Sequence, residues 1–117
     1  MDKVKVGKIG EKIAEEFLSK KNYLIIERNF HFGRLGEIDL IAKDNDEIVF
    51  VEVKYVTNLE FGYPENRITK SKQNKLRKAA EGWMFQNDIH NQPCRFDVIG
   101  IIAKDKSEEI THLINAF

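Results

Sequence analysis

At 117 residues the chain has the length of one domain, read here as residues 1–117, with enough material for a real core. Its 19 basic and 19 acidic residues balance to a formal net charge of zero, which argues against a strong, indiscriminate polyanion binder. No stretch approaches the ~20 apolar residues that span a bilayer. The start Met1-Asp2-Lys3-Val4-Lys5 has no apolar signal core, and Cys94 is the only cysteine, so a cytoplasmic protein with no membrane partner is expected.

Residues from about Lys8 to Lys20 read as a helix, because Ile9, Ile13 and Phe17 recur at helical spacing with Ala14 and Leu18 beside them. Lys20 and Lys21 suit its C-terminal dipole, and Asn22 suits a left-handed cap. Tyr23 to Phe32 reads as a strand, and Gly33-Arg34-Leu35-Gly36 as a turn. Gly36 to Ala42 and Ile48 to Val56 are rich in apolar and β-branched residues and read as strands, joined by the turn-former Lys43-Asp44-Asn45-Asp46-Glu47. Thr57 to Asn66 is a loop with Gly62 and Pro64. Thr69 is an N-cap for a second helix to about Gln86, with Leu76, Ala79, Ala80, Trp83 and Met84 inward. Arg95 to Ala103 and Glu109 to Ile114 are the last strands. The order αβββαββ predicts an α/β protein with a central mixed sheet and helices packed on it.

Charged residues interrupt the two middle strands. If the turn centres between Asn45 and Asp46, Asp39 falls opposite Glu52 and Glu37 opposite Lys54, all on one face. The other face then holds Ile38 opposite Val53, Leu40 opposite Val51 and Ala42 opposite Val49. Carboxylates are almost never buried unless paired or bound to metal, and opposed like charges repel. A cation between Asp39 and Glu52 resolves the conflict. Mg²⁺ takes oxygen ligands, typically one or two carboxylates completed by water and substrate phosphate, with the Val53 carbonyl as a third oxygen here. Lys54 emerges beside Glu52, where its ammonium orients water or meets a phosphate oxygen. The constellation therefore predicts catalysis by Asp39, Glu52 and Lys54 on phosphate esters with Mg²⁺ or Mn²⁺. Glu37 is read as pairing with Lys54 or capping the Gly36 turn, with a supporting role beside the metal site as the sharper alternative.

Arg67 through Lys78 is basic without an acid, and Lys70, Lys72 and Lys75 are its candidates for phosphate contact. The bland reading of that run is an exposed helix face. Arg95 and Asp97 read as a structural pair. His31, His90 and His112 have no metal-ligand spacing.

Gly36-Glu37-Ile38-Asp39-Leu40-Ile41 followed by Val49-Phe50-Val51-Glu52-Val53-Lys54 resembles the YraN-like family of small bacterial proteins. Gly7, Gly10-Glu11, Arg28-Asn29, Gly62-Tyr63-Pro64, Lys72, Arg95-Phe96-Asp97-Val98 and Ile114-Asn115-Ala116-Phe117 extend the match over almost the whole chain. That family in turn resembles the restriction-endonuclease-like PD-(D/E)xK nucleases, including Holliday-junction resolvases. The resemblance implies a restriction-endonuclease-like sheet, with Asp39, Glu52 and Lys54 at the D…ExK positions. It implies that Glu11 on the first helix joins the metal site. It also implies a DNA partner, branched or a junction, and a homodimer. Family members often carry an arginine soon after the strand lysine. Tyr55-Val56-Thr57 stands there instead, which implies one phosphate contact fewer. Two functions follow as expectations: a metal-dependent DNA endonuclease, or a non-catalytic nucleic-acid-binding or assembly module that keeps the fold.

Overall fold

Helix α1 (Lys3–Lys20), strands β1 (Leu24–Phe32), β2 (Gly36–Asp44) and β3 (Glu47–Val56), helix α2 (Lys70–Gln86), and strands β4 (Cys94–Ala103) and β5 (Glu108–Leu113) follow in the expected order. The structure is a computed structural model that describes residues 3–117, so Met1 and Asp2 of the N-terminal reading lie outside the described residues. The loop after β3 contains a short 3₁₀ turn, Pro64–Asn66. Proline suits the start of such a turn because its φ is already set.

Two helix expectations need correction. Helix α1 begins at Lys3, not near Lys8, and the added turn lays half-buried Val6 along the sheet. Its buried line is Gly10, Ala14 and Leu18, four residues apart, while Ile9 is 39% exposed. The reason is close approach: a Cβ on Gly10 would stand 2.8 Å from the Tyr55 Cβ, so only glycine lets the helix cross β3 here. The end of α1 is as expected. Asn22 has φ +68°, and the Tyr23 N–H donates to the Leu18 carbonyl at 3.0 Å, closing the helix. Thr69 caps α2 by accepting from the Lys72 N–H at 3.1 Å.

The five strands form one sheet in the order β1-β2-β3-β4-β5. Neighbours are antiparallel except β3 and β4, which run parallel with α2 in the crossover that such a pair requires. On one face Ala14 and Leu18 of α1 pack on Leu40, Ala42, Val49, Val51, Ile99 and Ile101. On the other, Leu76, Ala79, Ala80 and Trp83 of α2 pack on Ile38, Ile41, Ile48 and Phe50. This is the α/β, restriction-endonuclease-like arrangement of a mixed sheet flanked by helices. Among the described residues no helix is long and apolar enough to cross a membrane.

The hairpin register holds at Leu40 opposite Val51 and Ala42 opposite Val49, but the β2–β3 ladder stops at the first of these pairs. Ile38 does not share a face with Leu40. It belongs to the α2 side and Leu40 to the α1 side, so the alternation slips at Asp39. Strand β1 slips beside it. Arg28 pairs with Leu40 and Phe30 with Ile38, which puts Asn29 opposite Asp39. Arg28 reaches Glu15 of α1, whereas Phe30 joins the α2 side. Asn29 has φ +52°, a left-handed turn of the backbone that asparagine tolerates better than most residues. Such irregularities re-aim side chains, as bulges next to active sites do.

Arg95 and Asp97 are the structural pair expected. Asp97 is fully buried and accepts from Arg95 Nε at 2.9 Å, His112 Nε2 at 2.7 Å and the Asn115 N–H at 3.0 Å. Lys21 Nζ lies 2.8 Å from His112 Nδ1 and can only donate, so Nδ1 accepts and Nε2 carries the hydrogen given to Asp97.

Candidate active site

The slip at Asp39 decides the geometry of the site. With the ladder ended, the Val53 N–H donates to Asp39 Oδ2 at 2.8 Å instead of to a carbonyl across the hairpin. Glu52 precedes Val53 and is 7% exposed, so its carboxylate is held beside that of Asp39. Burial first, and then the Glu52 charge, push the Asp39 carboxyl up to about 8. At neutral pH the two acids coexist because Asp39 keeps its proton and hydrogen-bonds Glu52.

Asp39, Glu52, Lys54, Glu11 and Lys72 line one cavity of about 550 Å³, together with Arg67 and Tyr55. That volume suits a small-ligand site. Lys54 is half-buried and makes no ion pair with any described residue. Lys72 reaches from the first turn of α2 to within 3.4 Å of Glu52 Oε2. Glu11 faces the pair from α1. Its carboxyl is raised by burial first and by Asp39 next, against a hydrogen bond to the Asn29 side chain. Among the described residues, no three His, Cys, Asp or Glu side chains converge closely enough to hold an ion by themselves, so Glu11 stands beside the Asp39–Glu52 pair.

Other candidates are dispersed. Glu37 does not meet Lys54; it faces His31 at 3.8 Å, because the strands part before that pair can form. Lys70 and Lys75 are exposed on α2 and do not line the cavity. Arg77, also in the basic run, is spent on packing, its guanidinium 5.2 Å from the Phe117 ring centre.

Sequence reasoning missed Asn29, which sets the slip and bonds Glu11, and Arg67, which enters the cavity from just past the 3₁₀ turn. An asparagine inside a strand pattern was the available signal for the first. Arg67 reaches the same cavity as Lys54 from a separate loop, and no local pattern reveals that.

An oxygen donor set of two adjacent acids, one requiring a proton to tolerate the other, fits a hard dication that would take the proton's place. The cationic groups Lys54, Lys72 and Arg67 in the same cavity fit the negative charge of a phosphate ester.

The sequence pattern of UPF0102, an uncharacterised protein family, matches residues 10–101. The chain is similar to a UPF0102 protein of Clostridioides difficile, 41% identical over 117 residues and covering all of both chains. It is similar to one from Caldicellulosiruptor saccharolyticus, 44% identical over the full length of both. A third, from Trichlorobacter lovleyi, is 44% identical over 96% of this chain and 89% of the relative.

Proposed function

The chain belongs to the UPF0102 family, whose description assigns no activity, and we propose from the site itself that it is a divalent-metal-dependent nuclease hydrolysing DNA phosphodiester bonds. The observation that carries this reading is the buried Asp39–Glu52 carboxyl pair in one cavity with three cationic side chains. A binding surface has no use for two adjacent buried acids, one of which must hold a proton to stay there. Asp39 and Glu52 would hold Mg²⁺ or Mn²⁺, and the cation would supply charge neutralisation at the scissile phosphate and acidify water there. The Val53 N–H holds the Asp39 carboxylate through Oδ2, which leaves Oδ1 for the cation. Lys54, free of any ion pair among the described residues, gives its ammonium to the charge that grows on the phosphate oxygens. Lys72 and Arg67 position the strand by its phosphates. Glu11 adds negative charge on the α1 side, helping to retain the cation. A cytoplasmic setting suits the unpaired Cys94.

One observation favours the second reading, a non-catalytic nucleic-acid-binding module: Lys72 already compensates Glu52 without any cation. Cleavage assays on branched, flapped and linear DNA, with Mg²⁺ and with Mn²⁺, separate the two. The expected result is cleavage by the wild type that disappears in Asp39→Asn, Glu52→Gln and Lys54→Met. Lys54→Met keeps the buried stem and removes the charge, so turnover should fall by about 10² or more while DNA affinity stays nearly intact. Wild-type protein that binds DNA but cuts none of these substrates establishes the binding module. Cleavage that persists in all three variants sinks the site.

A further inference from the structure

Arg67 stands in the walls of two cavities. Besides the site cavity it lines a neighbouring one of about 380 Å³, which shares Tyr55 and Val56 with the first and adds Thr57, Asn58 and Phe61. Among the described residues Arg67 is the only charged one lining this second space. Its remaining walls are aromatic, apolar or neutral polar, unlike the carboxylates next door.

The loop that builds it is fixed, not slack. Asn58 Oδ1 accepts from the Glu60 N–H at 2.9 Å, and the Leu59 carbonyl accepts from the Gly62 N–H at 3.0 Å. Gly62 has φ +90°, where a side chain is strained. Arg67 Nη2 donates to the Gly62 carbonyl at 3.1 Å, and the guanidinium lies 5.7 Å from the Phe61 ring centre. These contacts hold Phe61 in water at 74% exposure, with Leu59 42% and Tyr63 52% exposed nearby. An ordered turn that presents a large aromatic ring to solvent beside a cationic cavity is a surface shaped for a partner. Arg67 Nε is also buried without a hydrogen-bond partner among the described residues.

We propose that the second cavity receives an unpaired nucleobase of the substrate strand, stacked on Phe61, while Arg67 contacts the phosphate that links this nucleotide to the one in the site cavity. Every base offers a flat face to an aromatic ring, and a base inside a continuous duplex has both faces covered, so the pocket selects for an unstacked nucleotide. The substrate class is therefore a strand with an unpaired nucleotide beside the cut, a flap or a single strand, in preference to unbroken duplex. The position of the cut rests on the nuclease reading above; the stacking does not.

The test is equilibrium binding in EDTA, where cleavage is stopped, to a single strand, a flapped duplex and a blunt duplex. It is run with DNA and with RNA of the same sequence, since both carry base and phosphate; the tighter series names the source. Wild-type protein should prefer the single strand and the flap, and a 2-aminopurine placed in the unpaired stretch should lose fluorescence on stacking. Phe61→Ala should weaken binding to these two forms about tenfold or more and leave blunt-duplex binding unchanged. Phe61→Trp should restore it. Because Phe61 is exposed, both variants should melt as the wild type does, which the same samples check. Phe61→Ala that binds single strands as tightly as wild type, or that loses all three forms equally, overturns the proposal. The two readings fail separately. A protein that cuts nothing yet shows the Phe61-dependent preference loses the nuclease and keeps the base pocket. One that cuts blunt and flapped duplex alike, indifferent to Phe61→Ala, keeps the nuclease and loses the pocket.

Discussion

Asp39 is held between a backbone donor and a second carboxylate, and both constraints bear on what its replacement should do. Its Oδ2 takes the Val53 N–H, and its proton is retained up to about pH 8 because burial and Glu52 disfavour the charge. A cation that displaces the proton binds the folded chain and not the unfolded one, so it stabilises by mass action. Mn²⁺ at a hundred times its dissociation constant should add about 2.7 kcal/mol, on the order of 10 °C in melting temperature. Asp39→Asn keeps an oxygen for the Val53 N–H but cannot match the carboxylate as a ligand. Its melting temperature in EDTA should equal or exceed that of the wild type, and the Mn²⁺ increment should vanish. A variant that still gains the full increment places the ion elsewhere. Lys72, paired with Glu52 at 3.4 Å and 43% exposed at its side chain, contributes little as a salt bridge. Its value lies in facing the cavity. Among Lys70→Glu, Lys72→Glu and Lys75→Glu, the Lys72 change should weaken DNA binding most and flatten its salt dependence by about one phosphate contact. Equal effects from all three would return α2 to a merely solvated basic face.

Strands β1 and β2 turn over together at Asn29 and Asp39, and this shared slip is what delivers a carboxylate to the end of β3. Asn29 at φ +52° is the residue that permits it. Asn29→Gly should keep the backbone and lose only the hydrogen bond to Glu11, whereas Asn29→Val places a β-branched residue in a left-handed conformation and should cost about 1–2 kcal/mol. If Asn29→Val also abolishes the Mn²⁺ response while Asn29→Gly retains it, the slip positions the metal ligands; an intact response in Asn29→Val removes that role. Most elements were legible in the sequence because hydrophobic period, caps and turn residues agreed. The Asn45-Asp46 turn gave the pairing of Leu40 with Val51, Thr69 marked the start of α2, and Asn22 the end of α1. The regular alternation assumed beyond Leu40 failed, because a side-chain carboxylate replaced the backbone partner of Val53. Ile9 was misplaced because the period of α1 shows a stripe but not which of its neighbours lies nearest the sheet. That was decided by Gly10 against Tyr55, a contact between elements far apart in the chain.

Across the whole molecule, stability and chemistry are set by separate polar clusters. Glu52 faces α2 and the cavity, while Asp97, one strand over, faces α1 and gathers several segments at once. Arg95 bonds Asp97, Tyr23 after α1, and Asp44 and Glu47 at the β2–β3 turn; His112 brings in β5, and the Asn115 N–H brings in the chain's last residues. Burial alone would raise the Asp97 carboxyl. The hydrogen bonds from His112, Arg95 and the Asn115 N–H outweigh that effect and hold it below the usual carboxylate range. The sign follows from proton linkage. With the folded value depressed, the native state holds its proton less readily than the unfolded chain. Asp97 therefore contributes its full stabilisation above about pH 4 and loses it as pH falls through the folded value. Asp97→Asn leaves the Arg95 guanidinium without its buried counter-charge and should cost about 3–5 kcal/mol at neutral pH. The cost should shrink as pH drops below about 4, because protonation removes the same charge from the wild type. Urea unfolding of both proteins at pH 3, 4, 5 and 7 measures this directly. A wild-type advantage that stays constant down to pH 3 would mean that Asp97 stabilises by shape and not by charge. Since Asp97 does not line the cavity, the folded fraction of Asp97→Asn should keep the Mn²⁺ response and the Phe61-dependent DNA preference. Loss of either in protein that is still folded would show that the sheet couples the two clusters.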